Sequence, residues 1–405
     1  MAEPRDAHEP PAATRELRAL PVPAGPAVRD VFPALRDLLA DRGPALLPVP
    51  ADDPARTRIL TDALRPGEPI DPRATLVVST SGSTGTPKGA MLSADALAAS
   101  AAATDAVLGG PGRWVLALPG HHIAGLQVML RSLRAGHEPV IVDVADGFDP
   151  AALPAAVAAA DAAPRAYSSL VPGQLAKVLD HPSPDPAAAL ADLDAVLLGG
   201  AAAAPALLER AAGAGIRVVR TYGMSETAGG CVYDGLPLDG VTVEVDDDDE
   251  GRVWLAGPQL ALGYRNAPHH EAFAREGWFR TDDAGRIGDD GRLRILGRLD
   301  EALSVGGLTL LPQSVEDALR RHAAVIDVVV VGLPDARLGT RPVAAVTLRA
   351  PATAAELRAH VTGLLGEHSA PTSVAVVDAL PLLPGGKVDR RGVAGAFAAG
   401  SIIGT

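Results

Sequence analysis

Cysteine, positive charge and aromatic side chains are scarce in this chain, and the first two shortages each exclude a class of protein. Its 405 residues include one cysteine, Cys231, which excludes a disulfide framework and a zinc site built from several cysteines. A single cysteine also fits a reducing compartment, so we expect a cytoplasmic protein. Acidic residues number 49 and basic residues 36, and the resulting net charge of −13 argues against nucleic acid as a partner.

Long apolar runs are also missing. The first twenty residues carry four acidic side chains and several prolines, which excludes the apolar core of a signal peptide. The most apolar window, 195–208, is 14 residues long and is interrupted by Gly199, Gly200 and Pro205. Because a bilayer needs about 20 apolar residues in a helix, we expect no membrane span. The sequence leaves a homodimer open.

The apolar residues that are present, 47% of the chain, suffice for sizeable cores. Short apolar segments alternate with alanine-rich helical ones, which predicts an α/β sheet covered on both faces. Residues 1–26, rich in proline, alanine and charge, predict a segment without packed structure. The predicted strands lie at 114–118, 139–142 and 195–198, and the predicted helices at 94–108, 150–160 and 205–214.

The pattern changes after Tyr222. Apolar and polar residues alternate on both sides of a strongly acidic turn at 246–251, which predicts a solvent-exposed β-hairpin rather than a metal site. From about Glu301 the pattern predicts a small α+β unit. The fold class predicted is α/β: a large N-terminal domain of layered α/β sheets with a β-rich subdomain, then a small α+β C-terminal domain. The predicted helices of the last unit lie at 311–322 and 354–365, and its strands at 325–331, 342–348 and 373–377.

The most informative segment is STSGSTGTPKGA at 79–90, which follows a short apolar run typical of a buried strand. Its backbone N–H groups and hydroxyls can wrap a polyphosphate, and Lys88 adds a positive charge. It is not a Walker A loop, because Gly82 and Gly85 are too close together and Lys88 does not directly follow the second glycine. A flexible linker is the alternative interpretation, but a linker requires neither a strand before it nor Pro-Lys-Gly after it.

A second segment, TYGMSET at 221–227, follows an apolar run at 216–219. Tyr222 offers an aromatic face to a base, and Glu226 offers a hard carboxylate to Mg²⁺. Taken alone, the segment is equally typical of an ordinary turn after a strand.

These two segments and five others resemble, in the same order along the chain, the motifs of the adenylate-forming superfamily. That superfamily comprises acyl-CoA synthetases, peptide-synthetase adenylation domains and luciferases. The resemblance implies an ATP- and acyl-binding domain at 1–299 and a mobile lid at 300–405 that carries the catalytic lysine, with a hinge at Asp300. Asp282 departs from the motif, which usually has glycine there. The five further segments are LGGA at 198–201, GWFRTDDAG at 277–285, GRLDE at 297–301, VGGL at 305–308 and LPGGKVDR at 383–390.

The resemblance implies ATP, Mg²⁺ and coenzyme A as ligands and assigns residues to each. Lys387, Lys88 and Glu226 would be catalytic, and Glu226 would hold Mg²⁺. Asp283 would bind the ribose hydroxyls, and Arg298 would contact ribose or phosphate. The other assigned residues are Thr80, Ser81, Gly82, Ser83, Thr84 and Gly85 in the phosphate loop, Gly200, Ala201, Thr221, Tyr222, Gly223, Met224 and Ser225 around the adenine, and Gly306 and Gly307 beside the pantetheine tunnel.

Further segments narrow the resemblance to one type of enzyme within the superfamily. LPGHHIAGLQ at 118–127 is similar to the compact o-succinylbenzoate–CoA ligases of menaquinone biosynthesis. SSLVPGQL at 168–175 and GMSETAGGCVYDG at 223–235 resemble the actinobacterial form of that enzyme. Such a ligase adenylates o-succinylbenzoate and transfers the acyl group to coenzyme A, releasing AMP and pyrophosphate. Because the acid is a dianion, it needs a second polar anchor, for which Arg131 and Arg134 are candidates if they reach inward. The candidate acyl-pocket residues are His122, Gly125, Ser168, Ser169 and Thr227.

Three alternatives stay open. The chain could be a ligase for another aryl or alkyl carboxylic acid, or a stand-alone adenylation enzyme that loads a carrier protein. It could also be a nucleotide-binding protein without catalytic activity, although Lys88, Glu226, Asp283 and Lys387 all argue for an enzyme.

Overall fold

The computed structural model describes residues 15–80, 86–161, 163–247, 251–381 and 388–402, and their strands form four sheets. The first sheet has the order β3-β1-β2-β4-β5. β1, β2 and β4 are parallel, and β5 runs antiparallel to β4 so that Thr80 lies opposite Lys88 at the open end of the pair. The strands are β1 (Arg15–Val22), β2 (Ala45–Pro50), β3 (Pro69–Ile70), β4 (Ala74–Thr80) and β5 (Lys88–Ser93).

The second sheet has the order β12-β11-β10-β9-β8-β6-β7. Its strands from β7 to β10 are parallel, and β11 and β12 extend it in antiparallel fashion. The buried, nearly continuous apolar strands are typical of a sheet covered on both faces. The strands are β6 (Arg113–Leu116), β7 (Val140–Ile141), β8 (Ala166–Leu170), β9 (Ala195–Leu198), β10 (Val218–Met224), β11 (Gly229–Tyr233) and β12 (Leu236–Pro237).

In the described part of the chain before the third sheet, eight α-helices accompany these two sheets. The largest core contains Phe32 and Trp114, and α4 contributes Leu126, Val128 and Met129 to it. Among the described residues, no helix has the length and apolar character that a membrane crossing requires. The helices are α1 (Phe32–Leu39), α2 (Pro54–Leu64), α3 (Ala94–Leu108), α4 (Ile123–Arg134), α5 (Leu153–Ala160), α6 (Pro172–Leu179), α7 (Asp185–Ala191) and α8 (Pro205–Gly213).

The third sheet is antiparallel and corresponds to the predicted β-rich part. Its first two strands form the predicted hairpin, with Val245 opposite Val253 at the acidic end. Its last two strands place Asp283 opposite Arg298. The strands are β13 (Thr242–Val245), β14 (Arg252–Ala256), β15 (Trp278–Ile287) and β16 (Leu293–Arg298).

The fourth sheet, after residue 302, has its own core of valine, leucine and alanine side chains. The third sheet thus ends at Arg298 and the fourth begins at Leu303, close to the predicted hinge. The division into domains at 299/300 stays a prediction. The elements are β17 (Leu303–Val305), β18 (Leu308–Leu310), β19 (Val325–Asp335), β20 (Gly339–Leu348), β21 (Ser373–Val376), α9 (Pro312–Arg320), α10 (Ala354–Leu365) and α11 (Arg390–Ala398).

The predicted α/β architecture is confirmed, with one error at the N-terminal end. α3 covers the predicted helix 94–108 because Ser93 caps its start, accepting from the Ala96 N–H at 3.1 Å, and Gly109 ends it at φ 98°. The prediction of no packed structure before residue 26 is wrong for 15–22. That segment forms β1 because Leu17 and Val22 are buried when it pairs with β2.

Leu357→Ala is expected to destabilise the C-terminal unit by about 2–5 kcal/mol, because Leu357 on α10 is fully buried and its removal leaves a cavity. The free energy of unfolding from urea denaturation measures this. Arg358→Ala, the exposed neighbour on the same helix, is the control and should change stability by less than about 0.5 kcal/mol. Equal effects of the two substitutions would contradict the assigned core.

Candidate active site

The predicted site residues converge where strands of the first three sheets meet. Lys88 begins β5, Tyr222 lies near the end of β10, Glu226 follows that strand in a single helical turn, and Asp283 lies on β15. A connecting segment at 263–273, between β14 and β15, lies against them. Tyr264 in this segment forms an isolated bridge with Ala90 of β5, so the segment borders the phosphate-loop hairpin.

Residues of this segment contact Lys88 and its neighbour Gly89. Its ammonium lies 3.0 Å from Nε2 of His270 and 4.9 Å from the centre of the Tyr264 ring. The backbone is fixed as well: the Gly89 N–H donates to Oδ1 of Asn266 at 3.2 Å, and Gly89 O accepts from the Arg265 N–H at 2.7 Å. The backbone beside Lys88 is therefore fixed by hydrogen bonds, and its ammonium lies next to His270 and Tyr264.

Glu226 is a buried carboxylate with a phenol as its partner. Its side chain is 6% exposed, and the Tyr264 hydroxyl donates to Oε1 at 2.6 Å. Burial raises the pKa of Glu226, while the Tyr264 hydrogen bond and the charge of Lys88 act in the opposite direction. Burial, and then the contact with Glu226, raise the pKa of Tyr264. A single carboxylate suits Mg²⁺ where substrate phosphates supply further ligands, because Mg²⁺ uses one or two protein carboxylates together with such phosphates.

Asp283 has a second phenol–carboxylate contact. The Tyr222 hydroxyl donates to its Oδ2 at 2.7 Å, and Nη1 of Arg298 lies 3.5 Å from its Oδ1. Burial raises the pKa of Asp283 against the effects of Tyr222 and Arg298. Arg298 also donates from Nε and Nη2 to Asp300, each at 2.9 Å, so it joins β16 to the predicted hinge residue.

Asp282, which replaces the usual glycine of the motif, adds another acidic group here. Its carboxylate lies 3.7 Å from Arg298 and 3.6 Å from Arg252, which itself donates to the Thr281 carbonyl. Arg298 therefore has three carboxylates within 4 Å.

The predicted adenine-side residues form one border of the site. Gly200 has φ 81°, and both Gly200 and Ala201 are exposed after the end of β9. Thr221 Oγ1 donates to Leu198 O at 3.4 Å. Gly223 lies at a register shift against β11, where an added Cβ would come within 2.1 Å of Gly229 O, so glycine is required there. Met224 and Ser225 then lead into the turn that carries Glu226.

Of the predicted acyl-pocket residues, Thr227 and Ser168 form hydrogen bonds within the protein, and Gly125 lies against its backbone. Thr227 is fully buried, and its Oγ1 accepts from the Met224 N–H at 2.9 Å. Ser168 is also fully buried and donates to Val115 O at 3.0 Å, whereas Ser169 is 9% exposed. An added Cβ on Gly125 would lie 2.3 Å from Pro119 O, which requires glycine in the first turn of α4. The roles of all four in substrate binding stay predictions.

The structure separates the two arginines from the histidine pair. His122 precedes α4 and is exposed, with its ring 4.2 Å from that of His121. Arg131 is buried with its guanidinium 5.5 Å from the Trp114 ring, and Arg134 is exposed at the end of the helix, about 18 Å along its axis from His122. Neither lies beside His122, because the helix carries them to its opposite face and its far end.

The remaining predicted residues lie in the C-terminal part or outside the described residues. Gly306 and Gly307 form the turn between β17 and β18 with φ 59° and 85°, a conformation that favours glycine. Thr80 lies at the end of β4. The predicted residues that lie outside the described residues are Ser81, Gly82, Ser83, Thr84, Gly85 and Lys387.

Sequence reasoning missed two residues of the site, Tyr264 and His270. Both lie in GYRNAPHHEAF at 263–273, a segment without periodicity. The only signal available was an aromatic residue and two histidines in a loop between β-rich segments.

Comparison with known proteins identifies the family of the chain. Residues 25–265 match the sequence model of the AMP-binding enzyme family. The chain belongs to this family. Residues 314–387 match the C-terminal domain of AMP-binding enzymes.

Individual family members are similar over most of the chain. The sequence is 52% identical over 387 residues to a probable 2-succinylbenzoate–CoA ligase of Mycobacterium tuberculosis, covering 94% of this chain and 99% of the relative. Among solved structures, an amide bond synthetase, McbA of Marinactinospora thermotolerans, has a TM-score of 0.76 and 26% identity, covering 95% and 90% of the two chains. E. coli MenE with a bound analogue of OSB-AMS has a TM-score of 0.72 and 26% identity, covering 95% and 89%.

Tyr264→Phe should raise the pKa of Glu226 further, because the phenol that stabilises its ionised form is lost. NMR titration of the labelled Glu226 carboxyl carbon, assigned by its absence in Glu226→Gln, measures the change. Tyr222→Phe removes the matching phenol from Asp283 and is the control, which should leave the titration of Glu226 at the wild-type position. An unchanged titration in Tyr264→Phe would contradict this account of the pair.

Proposed function

We propose that this protein is an AMP-forming acid–thiol ligase that adenylates 2-succinylbenzoate and transfers the acyl group to coenzyme A. The observation that carries the proposal is the 52% identity to a probable 2-succinylbenzoate–CoA ligase, which extends over 99% of that relative. The proposal is further supported by Lys88 and Glu226, two of the residues that would take part in adenylation, since both contact Tyr264. The partners proposed are ATP, Mg²⁺, this acid and coenzyme A, in the cytoplasm.

The first half-reaction brings two anions together, and the site supplies groups that counter their repulsion. A substrate carboxylate must attack the α-phosphate of ATP, so positive charge and N–H donors have to stabilise the developing negative charge. Lys88 would bind the departing pyrophosphate together with the loop hydroxyls. Glu226 would hold Mg²⁺, which when bound neutralises phosphate charge.

The ribose and the adenine of the nucleotide would bind beside the buried carboxylate of Asp283. Asp283 accepts from Tyr222 and lies beside Arg298, so its oxygens are already oriented at the edge of the sheet. The ribose hydroxyls would donate to this carboxylate, and the Tyr222 ring would stack on adenine. Gly200 and Ala201, exposed beyond β9, would border the base.

In the second half-reaction, the C-terminal part would turn a different face toward the site, one that does not carry Lys387. Lys387 would contact the carboxylate and the α-phosphate during adenylation, as a flexible point charge. Rotation about Asp300 would then replace Lys387 by the turn at Gly306 and Gly307, beside which the thiol of coenzyme A would enter. A hinge at Asp300 is supported by its place in the chain, between the end of the third sheet at Arg298 and the start of the fourth at Leu303.

The acid would enter on the side of α4 and β8. His122 is exposed at the start of α4 and offers a polar group for the second carboxylate. Other acids stay alternatives, since a relative at 32% identity is a sulfoacetate–CoA ligase. A carrier protein as the acceptor is the further alternative.

The direct test supplies ATP, Mg²⁺, coenzyme A and a panel of acids to the purified protein. 2-Succinylbenzoate should give AMP and a mono-CoA thioester with the highest kcat/KM, and mass spectrometry identifies the product. Benzoate, sulfoacetate and medium-chain fatty acids are the comparison substrates. A higher kcat/KM for one of these would refute the proposed acid but leave acid–thiol ligation intact.

Lys387→Ala tests whether Lys387 acts in adenylation but not in thioester formation. Loss of this charge should lower kcat for adenylation on the order of 100-fold or more. Conversion of supplied acyl-adenylate and coenzyme A to thioester should stay near the wild-type rate. An equal fall in both half-reactions would contradict alternation of the C-terminal part.

A further inference from the structure

His270 is a residue that none of the recognised motifs includes, yet it contacts the side chain that would bind phosphate. Its Nε2 lies 3.0 Å from the Lys88 ammonium, across 182 positions of sequence. The Tyr264 ring lies beside both groups, 4.9 Å from the ammonium and 5.0 Å, edge to face, from the imidazole. The three side chains thus form one compact group next to the phosphate-loop hairpin.

A neutral imidazole accepts at only one nitrogen, so His270 accepts either from the Lys88 ammonium at Nε2 or from the Ala272 N–H at Nδ1. The second contact is the one that the backbone fixes, because both of its partners belong to the same short helical turn. Nδ1 accepts from the Ala272 N–H at 3.2 Å, in the cap of the short helical turn at Glu271–Phe273. A neutral ring whose Nδ1 accepts must carry its proton on Nε2. Burial, and secondly the charge of Lys88, lower the pKa of His270, which keeps the ring neutral near pH 7.

The consequence is that two donors face each other. Nε2–H of His270 points toward Lys88, whose ammonium is a donor without acceptor capacity. Two donors at this distance cannot bond to each other, but an acceptor placed beside them can bond to both. A phosphate group accepts from several donors at once, and charge-assisted bonds to its oxygens are strong. The flexible four-carbon stem of Lys88 allows its ammonium to move aside and admit the anion.

We propose that Nε2–H of His270 and the ammonium of Lys88 bind the same phosphate group of the ATP polyphosphate, and hold it as pyrophosphate leaves. This inference rests on the proposed function for the identity of the anion. It assigns to His270 a direct contact with substrate, separate from its role in capping the turn at Glu271–Phe273.

Two substitutions separate the contact from the cap. In His270→Asn the amide oxygen can replace Nδ1 as acceptor for the Ala272 N–H, but no donor reaches the position of Nε2. In His270→Gln the longer side chain places an amide N–H near that position. Calorimetric binding of inorganic pyrophosphate with Mg²⁺ is the first readout, and KM for ATP in ATP–pyrophosphate exchange is the second.

His270→Asn should weaken pyrophosphate binding and raise KM for ATP roughly 10- to 100-fold, the effect of one hydrogen bond to a charged group. His270→Gln should recover part of this loss. Thioester formation from supplied acyl-adenylate, in which no pyrophosphate takes part, should be unchanged in both variants.

Pyrophosphate affinity within twofold of wild type in His270→Asn would overturn the proposal. Equal losses in the Asn and Gln variants, or an equal fall in the thioester half-reaction, would do the same, since they indicate a structural role. If wild type binds pyrophosphate and the two variants behave as expected but no acid is adenylated, the inference holds and the proposed function fails.

Discussion

The hydrogen bond from the Tyr264 phenol to the Glu226 carboxylate is the contact on which the candidate site depends. Tyr264 pairs through its backbone with Ala90 of β5, while Glu226 follows β10 of the second sheet. The contact therefore fixes the phosphate-loop hairpin relative to the turn that carries the proposed metal ligand. Lys88 gains its position from the same residue, because its ammonium lies on the Tyr264 ring.

The site buries two carboxylates and has few cations close to them. Glu226 and Asp283 are each 6% exposed, and each accepts a hydrogen bond from a phenol. A phenol stabilises a carboxylate without neutralising it, so both groups keep their capacity to bind Mg²⁺ or ribose hydroxyls. Arg298 lies within 4 Å of three carboxylates, so Lys88 is the cation of the described site that is left to meet the phosphates.

Much of this could be predicted from the sequence, because local signals identify local structure. α3 was predictable from its serine cap and glycine end, and the motif glycines were predictable as turns, as Gly306 and Gly307 are. The contacts of Tyr264 and His270 could not be predicted, since they join segments 38 and 182 positions apart through tertiary packing. β1 escaped prediction for the same reason: its residues become buried only by pairing with β2.

A crystal structure of the protein with a non-hydrolysable ATP analogue and Mg²⁺ would test the proposed nucleotide site directly. We expect adenine against Tyr222, ribose hydroxyls on Asp283, phosphate at Lys88, and Mg²⁺ on the Glu226 carboxylate. A nucleotide bound elsewhere, or bound here with Mg²⁺ away from Glu226, would contradict the central claim that these residues form the nucleotide site.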